Sequence, residues 1–206
     1  MIAIIDYDAG NIKSVEKAIH FIDEEAILTR DAKEILAADH IILPGVGSFG
    51  DAMDNLHRYD LVNVIKEATR RQIPFLGICL GLQLLFEGSE ESPGVRGLGL
   101  LKGEIVRIPN TANLKIPHMG WNSLHLQNSG RLFKGLLEQE YVYFVHSYYL
   151  QAEESQIVKA TTQYGVDIHA AVEKDNIFGC QFHPEKSSDS GLQILKNFTS
   201  IQKEGK

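Results

Sequence analysis

Gly77-Ile78-Cys79-Leu80-Gly81 lies between an apolar run and a helical pattern, the arrangement of a nucleophile elbow with cysteine at its tip. Such a turn would lift the Cys79 side chain out at the carboxyl end of a strand, and the positive end of the following helix would favour a thiolate. The same residues also describe a small cysteine buried in a tight strand-to-helix turn, and the motif alone leaves both readings open. A thiolate in acyl transfer needs a base that returns its proton to the leaving group, and a third group that orients the base. Gln181-Phe182-His183-Pro184-Glu185 offers both. In an extended chain His183 and Glu185 point to the same side, and Pro184, with no N–H to donate, places the segment at a strand end or sheet edge.

These residues have rivals. His146, in Phe144-Val145-His146-Ser147-Tyr148, competes best among the seven other histidines because it also lies near a strand end. Cys180 is the second cysteine, but it sits inside an apolar strand with no elbow around it and reads as core. Gly45-Val46-Gly47-Ser48-Phe49-Gly50 fits the dinucleotide fingerprint by spacing. That fingerprint belongs to the first strand-to-helix turn with an acidic residue closing the next strand; here the first turn lacks it, and Glu67 falls in a helical pattern. Beside a cysteine elbow, such a loop can instead aim unhindered backbone N–H groups at a tetrahedral oxyanion; a plain turn is the other reading.

The elements that must hold these groups are legible in outline. Ile2 to Ile5, Ala26 to Thr29, His40 to Leu43 and Pro74 to Ile78 read as buried strands. Helical patterns begin at Ser14, a candidate N-cap, and run over Asp31 to Ala38 and Leu61 to Gln72. This alternation predicts an α/β fold with an open, mostly parallel sheet flanked by helices. From Gly103 onward the texture changes: Glu104 to Ile108, Tyr141 to Tyr149, Ile157 to Thr162, His169 to Glu173 and Ile177 to Phe182 read as strands with few helices between them. Antiparallel additions to the sheet are expected in this C-terminal half, closed by a helix over Ser190 to Ile201.

With 206 residues, 44% of them hydrophobic, the chain can bury a sizeable core without metal or disulfide staples. Twenty Lys and Arg against 27 Asp and Glu give a net charge of −7, which carries no electrostatic footprint for nucleic acid or an anionic membrane. Two cysteines and no metal-ligand spacing point to a reduced cytoplasmic setting with neither metal nor cofactor. The N-terminal run is too short for a signal peptide, and no run spans a bilayer.

Taken together, the Cys79 elbow and His183-Pro184-Glu185 resemble the class I, or triad, glutamine amidotransferases, and the resemblance extends over residues 1–206 as a single domain. Pro44 to Gly50 and Lys115-Ile116-Pro117-His118-Met119-Gly120-Trp121-Asn122 are similar to the branch that serves histidine biosynthesis. The resemblance implies hydrolysis of L-glutamine to glutamate and ammonia through a Cys79 thioester, with His183 as base and acid and Glu185 orienting it. It implies an oxyanion hole at Val46, Gly47 and the backbone of Leu80. Gln83, Glu91, Ser147 and Tyr148 would hold the substrate, and Asn11, Trp121 and Lys186 would face a partner. That partner would be a (β/α)₈-barrel cyclase subunit in a heterodimer, because ammonia released into neutral water is largely protonated and of use only if handed on directly. A stand-alone cysteine hydrolase and the glutaminase of another amidotransferase are the alternatives.

Overall fold

Ile2 to Ile5 can be apolar at every position because both faces of that strand are covered: Ala3 and Ile5 enter one core, Ile2 and Ile4 another. The computed structural model, which describes residues 1–10, 12–111, 114–127 and 129–202, builds outward from this strand. In chain order the first half comprises β1 (Ile2–Ile5), α1 (Ile12–Phe21), β2 (Ala26–Thr29), α2 (Ala32–Ala37), β3 (His40–Leu43), α3 (Phe49–Arg58), α4 (Leu61–Arg70), β4 (Phe75–Ile78) and α5 (Leu80–Leu84). The second half adds β5 (Gly88–Ser89), β6 (Gly103–Arg107), β7 (His118–Ser123), β8 (His125–Leu126), β9 (Tyr141–His146), β10 (Tyr148–Ala152), β11 (Val158–Tyr164), β12 (Val166–Lys174), β13 (Ile177–Cys180) and α6 (Ser188–Thr199).

The main sheet runs β2-β1-β3-β4-β13-β12-β10-β6-β5, with β11 and β8 branching from β12. Strands β2, β1, β3, β4 and β13 are mutually parallel; β12, β10, β6 and β11 join antiparallel, as the change of texture after Gly103 predicts. Helices α2, α3 and α4 cover one face and α1 and α6 the other. Local chemistry sets several of the helix starts. Asp31 caps α2 by accepting from the amides of Lys33 and Glu34, and Ser48 caps α3 by accepting from Asp51.

Two expectations need correction, and two elements are additions to them. Ser14 does not cap α1; the helix begins at Ile12 and Ser14 is its third residue. Helix α3 was hidden by the glycine-rich segment before it, although Phe49, Ala52, Met53 and Leu56 carry the buried i, i+3, i+4, i+7 spacing. Strand β7 was likewise not anticipated. Tyr141 to Tyr149 is not one strand: the chain changes sheets at Ser147, so that β9 pairs with β7 in a separate two-stranded ribbon while β10 enters the main sheet beside β6.

Helix α5 is pressed against the sheet where a side chain would not fit. A Cβ on Gly81 would run into the carbonyl oxygen of Leu43, and one on Gly77 would lie 2.6 Å from the Gly81 oxygen. Gly81→Ala should therefore destabilise the protein by about 3 kcal/mol or more, at the upper end of overpacking effects. Gly94→Ala, at positive φ but with open space around it, should lose only about 1–2 kcal/mol. Urea midpoints of the two variants check the difference.

Candidate active site

At the end of β4 the backbone of Cys79 adopts φ 55°, ψ −107°, a conformation that a non-glycine residue keeps only when its surroundings over-determine it. The determinants are visible on both sides. The Cys79 amide donates to the carbonyl of Cys180 at 2.8 Å, tying the elbow to the neighbouring parallel strand. Behind it, α5 begins at once, and the Leu80 amide, like others in a first helical turn, has no partner within its helix. Tyr7 donates its hydroxyl to the Pro44 carbonyl at 2.8 Å and steadies the loop that lies over the elbow.

Strand β13 lies directly beside β4 and delivers His183 just past its own end. The His183 amide donates to Tyr143 at 2.9 Å, and the Ser187 hydroxyl donates to the His183 carbonyl at 2.6 Å. Nδ1 of His183 lies 2.8 Å from Oε1 of Glu185, with both side chains buried. The expected extended geometry is corrected here: Pro184–Lys186 is a 3₁₀ turn, which curls the carboxylate back onto the ring. With Nδ1 donating to Glu185, Nε2 is left for proton transfer, and among the described residues it has no hydrogen-bond partner. Burial opposes a charge on His183, but the Cys79 sulfur and the Glu185 carboxylate outweigh it and lift the ring to about 10.

The rivals are differently engaged, although His146 also borders the cavity over Cys79 and His183. His146 is buried with both ring nitrogens engaged, Nδ1 against the Tyr148 carbonyl at 2.9 Å and Nε2 against His118 at 3.0 Å. Burial, reinforced by His118 and His183 and only partly offset by the Tyr148 carbonyl, lowers it to about 3. Such a ring has no free nitrogen with which to act as a base. Cys180 is fully buried; burial, with Glu185 and Cys79 nearby, raises its thiol well above the ordinary range.

A cavity of about 330 Å³ opens over Cys79 and His183. Val46, Gly47 and Leu80 border it, as do Gln83, Glu91, Ser147 and Tyr148, so seven residues singled out in sequence share one wall system. Gly47 sits at φ 101°, a backbone state suited to glycine. Glu91 accepts from the Phe49 amide at 2.7 Å, fixing the loop's exit into α3. Trp121 and Lys186 lie outside this cavity and meet over Tyr143: the indole ring is 6.2 Å from the Tyr143 ring edge-on, and the ammonium is 5.9 Å from its centre. Asn11 falls outside the described residues. A larger cavity of about 730 Å³ beside Glu87 and Arg96 contains none of the candidate groups. No group of three His, Cys, Asp or Glu among the described residues could hold a metal ion, and no helix there is long and apolar enough to cross a membrane.

Two neighbours of the sulfur had not been singled out. The Val145 carbonyl lies 3.9 Å from Sγ, and the Gln181 amide donates to it at 3.8 Å. Gln181 stands two residues before His183, a spacing that could have placed both on one side of an extended chain.

A cysteine on a strained strand-to-helix turn, facing a histidine–glutamate pair from the adjacent parallel strand, defines the architecture of a class I glutamine amidotransferase. The family model for class-I glutamine amidotransferases matches residues 3–201. Two solved structures share the fold: a glutamine amidotransferase with TM-score 0.75 and 17% identity, covering 97% of this chain and 100% of that one, and PurLQS from Thermotoga maritima with TM-score 0.73 and 22% identity, covering 96% of each. Sequence similarity is far higher to imidazole glycerol phosphate synthase subunit HisH. Identity is 53% to the Bacillus cereus protein, over 98% of this chain and 95% of that one, and 51% to the Moorella thermoacetica protein, over 97% and 94%. The HisH of Methanocaldococcus jannaschii is 47% identical over 98% of this chain and all of its own. The chain belongs to the class-I glutamine amidotransferase family, in its HisH branch.

Burial lowers His118 to about 4 and His146 to about 3, from an ordinary value near 6.5. The unfolded rings therefore take up protons below about pH 6.5 while the folded ones do not, so the stability these residues contribute is complete above that pH and is lost as pH falls toward 4. The urea midpoint should decline across that window, and less steeply in His146→Asn, measured at intervals from pH 7 to pH 4.5.

Proposed function

We propose that the chain is the glutaminase subunit of an imidazole glycerol phosphate synthase, hydrolysing L-glutamine to glutamate and ammonia and passing the ammonia to a (β/α)₈-barrel cyclase subunit. The observation that carries this reading is the Cys79 elbow facing the buried His183–Glu185 pair at the floor of a cavity whose volume suits an amino acid.

Cys79 Sγ attacks the side-chain amide carbon of glutamine, breaking its C=O π bond and forming a tetrahedral oxyanion. The backbone at Val46 and Gly47, with the Leu80 amide, receives that charge. His183, charged while the sulfur is anionic, gives the Nε2 proton to the leaving nitrogen, so that the C–N bond breaks and ammonia departs. The glutamyl thioester remains. Water then attacks it, His183 accepting the water proton and returning a proton to sulfur as glutamate leaves. Glu185 keeps the ring oriented and favours its charged form. Gln83, Glu91, Ser147 and Tyr148 hold the glutamine.

The β7–β9 ribbon supplies the surface for a partner. Its outward row exposes Met119 at 62%, Trp121 at 53% and Tyr141 at 59%, an apolar patch that extends to Lys186 through Tyr143. Pro117, the residue before the ribbon, borders the cavity, so a cyclase covering this patch lies beside the point where ammonia is made.

In the complex, Cys79→Ala should lower glutamine-dependent synthesis by at least ~10³ while ammonium salt still supports the cyclase, because only the nucleophile is removed. Retained glutamine turnover would remove Cys79 from the mechanism, and a free chain as active as the complex would favour a stand-alone hydrolase. His183→Ala should lose at least about tenfold more kcat than Glu185→Gln, since the base transfers the proton and the carboxylate acts through it. Steady-state glutamate release decides the order.

A further inference from the structure

One carbonyl and six side chains form an unbroken hydrogen-bonded line from the β7–β9 ribbon to Cys79, and their chemistry fixes the direction of every bond. Nδ1 of His146 lies 2.9 Å from the Tyr148 carbonyl oxygen, which can only accept, so Nδ1 carries the proton. In a neutral ring Nε2 is then an acceptor, and His118 Nδ1, 3.0 Å away, must be the donor. His118 Nε2 is left to accept from Asn122 Nδ2 at 3.3 Å. The Asn122 amide cannot be reversed, because its oxygen accepts from the Ser123 amide at 2.9 Å and its nitrogen donates to the Gln163 carbonyl at 3.0 Å.

On its other side the Tyr148 oxygen accepts a second bond, from Gln83 Nε2 at 3.0 Å. The same nitrogen donates to Gln181 Oε1 at 3.0 Å, and Gln181 Nε2 donates to Cys79 Sγ at 3.8 Å. Adding a proton to either histidine would set one N–H against another. The ring planes are held as well: His118 is stacked between Phe144 and Tyr164, with ring centres 4.7 and 3.9 Å away.

Tyr148 opens β10 in register with Arg107 of β6, and the Ser147 carbonyl accepts from the Ile108 amide at 2.9 Å, so the main sheet holds this wall from one side. The line holds it from the other, through the bonds that His146 and Gln83 give the Tyr148 carbonyl. We propose that His118 and His146 are positioning residues for glutamine binding: as neutral Nδ1–H tautomers they brace the Tyr148 carbonyl, and with it the Ser147–Tyr148 wall, from the β7–β9 ribbon. The proposal rests on the glutaminase reading of the cavity. Neither imidazole touches the reacting atoms in this role.

Two measurements test it in the complex with the cyclase. Nitrogen-15 histidine spectra at pH 7 should show both rings neutral with the proton on Nδ1; a charged ring or an Nε2–H tautomer at either position overturns the proposal. Glutamine kinetics should show about a tenfold rise in KM for His118→Leu, the effect of losing one buried hydrogen bond, with kcat within threefold. His118→Asn, which puts an amide donor near the position of Nδ1, should bring KM back to within threefold of the parent. An unchanged KM in His118→Leu, or equal losses in the Leu and Asn variants, overturns the bracing role. If His118→Leu does not fold, the Asn variant and the spectra still decide. A parent complex that releases no glutamate would defeat the glutaminase reading instead, while the tautomers would still be read independently.

Discussion

Everything in the site hangs from the left-handed turn at Cys79. A cysteine held at φ 55° is strained, and it stays there because α5 cannot move away from the strands beneath it. Glycine at positions 77 and 81 lets helix and sheet meet backbone to backbone, and the hydrogen bond to Cys180 clamps the elbow to β13. That clamp also ties the elbow to His183, which follows Cys180 by three residues. Cys79 and His183 are therefore placed by one pair of adjacent parallel strands rather than by flexible loops.

The structure also puts histidine to opposite uses a short distance apart. His183, His146 and His118 are all buried, so desolvation opposes charge at each. What separates them is their company. His183 has a sulfur and a carboxylate beside it, which outweigh burial and raise it; His146 and His118 have no such anionic neighbour, and burial lowers them. The base proposed at position 183 must change charge during turnover, whereas the brace proposed at 118 and 146 must not.

Much of this was legible in residue order because it is local. The elbow is a five-residue pattern, the His-Pro-Glu segment spans three, and the buried strands announce themselves as apolar runs because both faces are covered. The alternation of strand and helix patterns, and its loss after Gly103, also predicted the parallel half and the antiparallel additions. What escaped notice depends on the third dimension or on a misleading neighbour. Helix α3 follows a glycine-rich loop, and its amphipathic stripe begins inside that loop at Phe49. The break at Ser147 divides a continuous β-forming stretch between two sheets, a choice made by the partners β7 and β6. The extended reading of His183-Pro184-Glu185 overlooked that proline readily opens a 3₁₀ turn, so the pairing of ring and carboxylate was read correctly from the wrong backbone. The line through His118, Gln83 and Gln181 to Cys79 joins residues up to 102 positions apart, and no spacing rule reaches that far.

The position of β13 has a consequence for the life of the chain before it is whole. This strand, Ile177–Cys180, is central in the sheet yet follows every other described strand in chain order. Strands β2, β1, β3 and β4 can pair as they emerge, but until β13 arrives the outer edge of β4 is a bare apolar border, open to pairing with any other exposed strand. The same lateness is protective. A nascent chain already carries the Cys79 thiol, but His183 comes to face it only when β13 has closed the sheet.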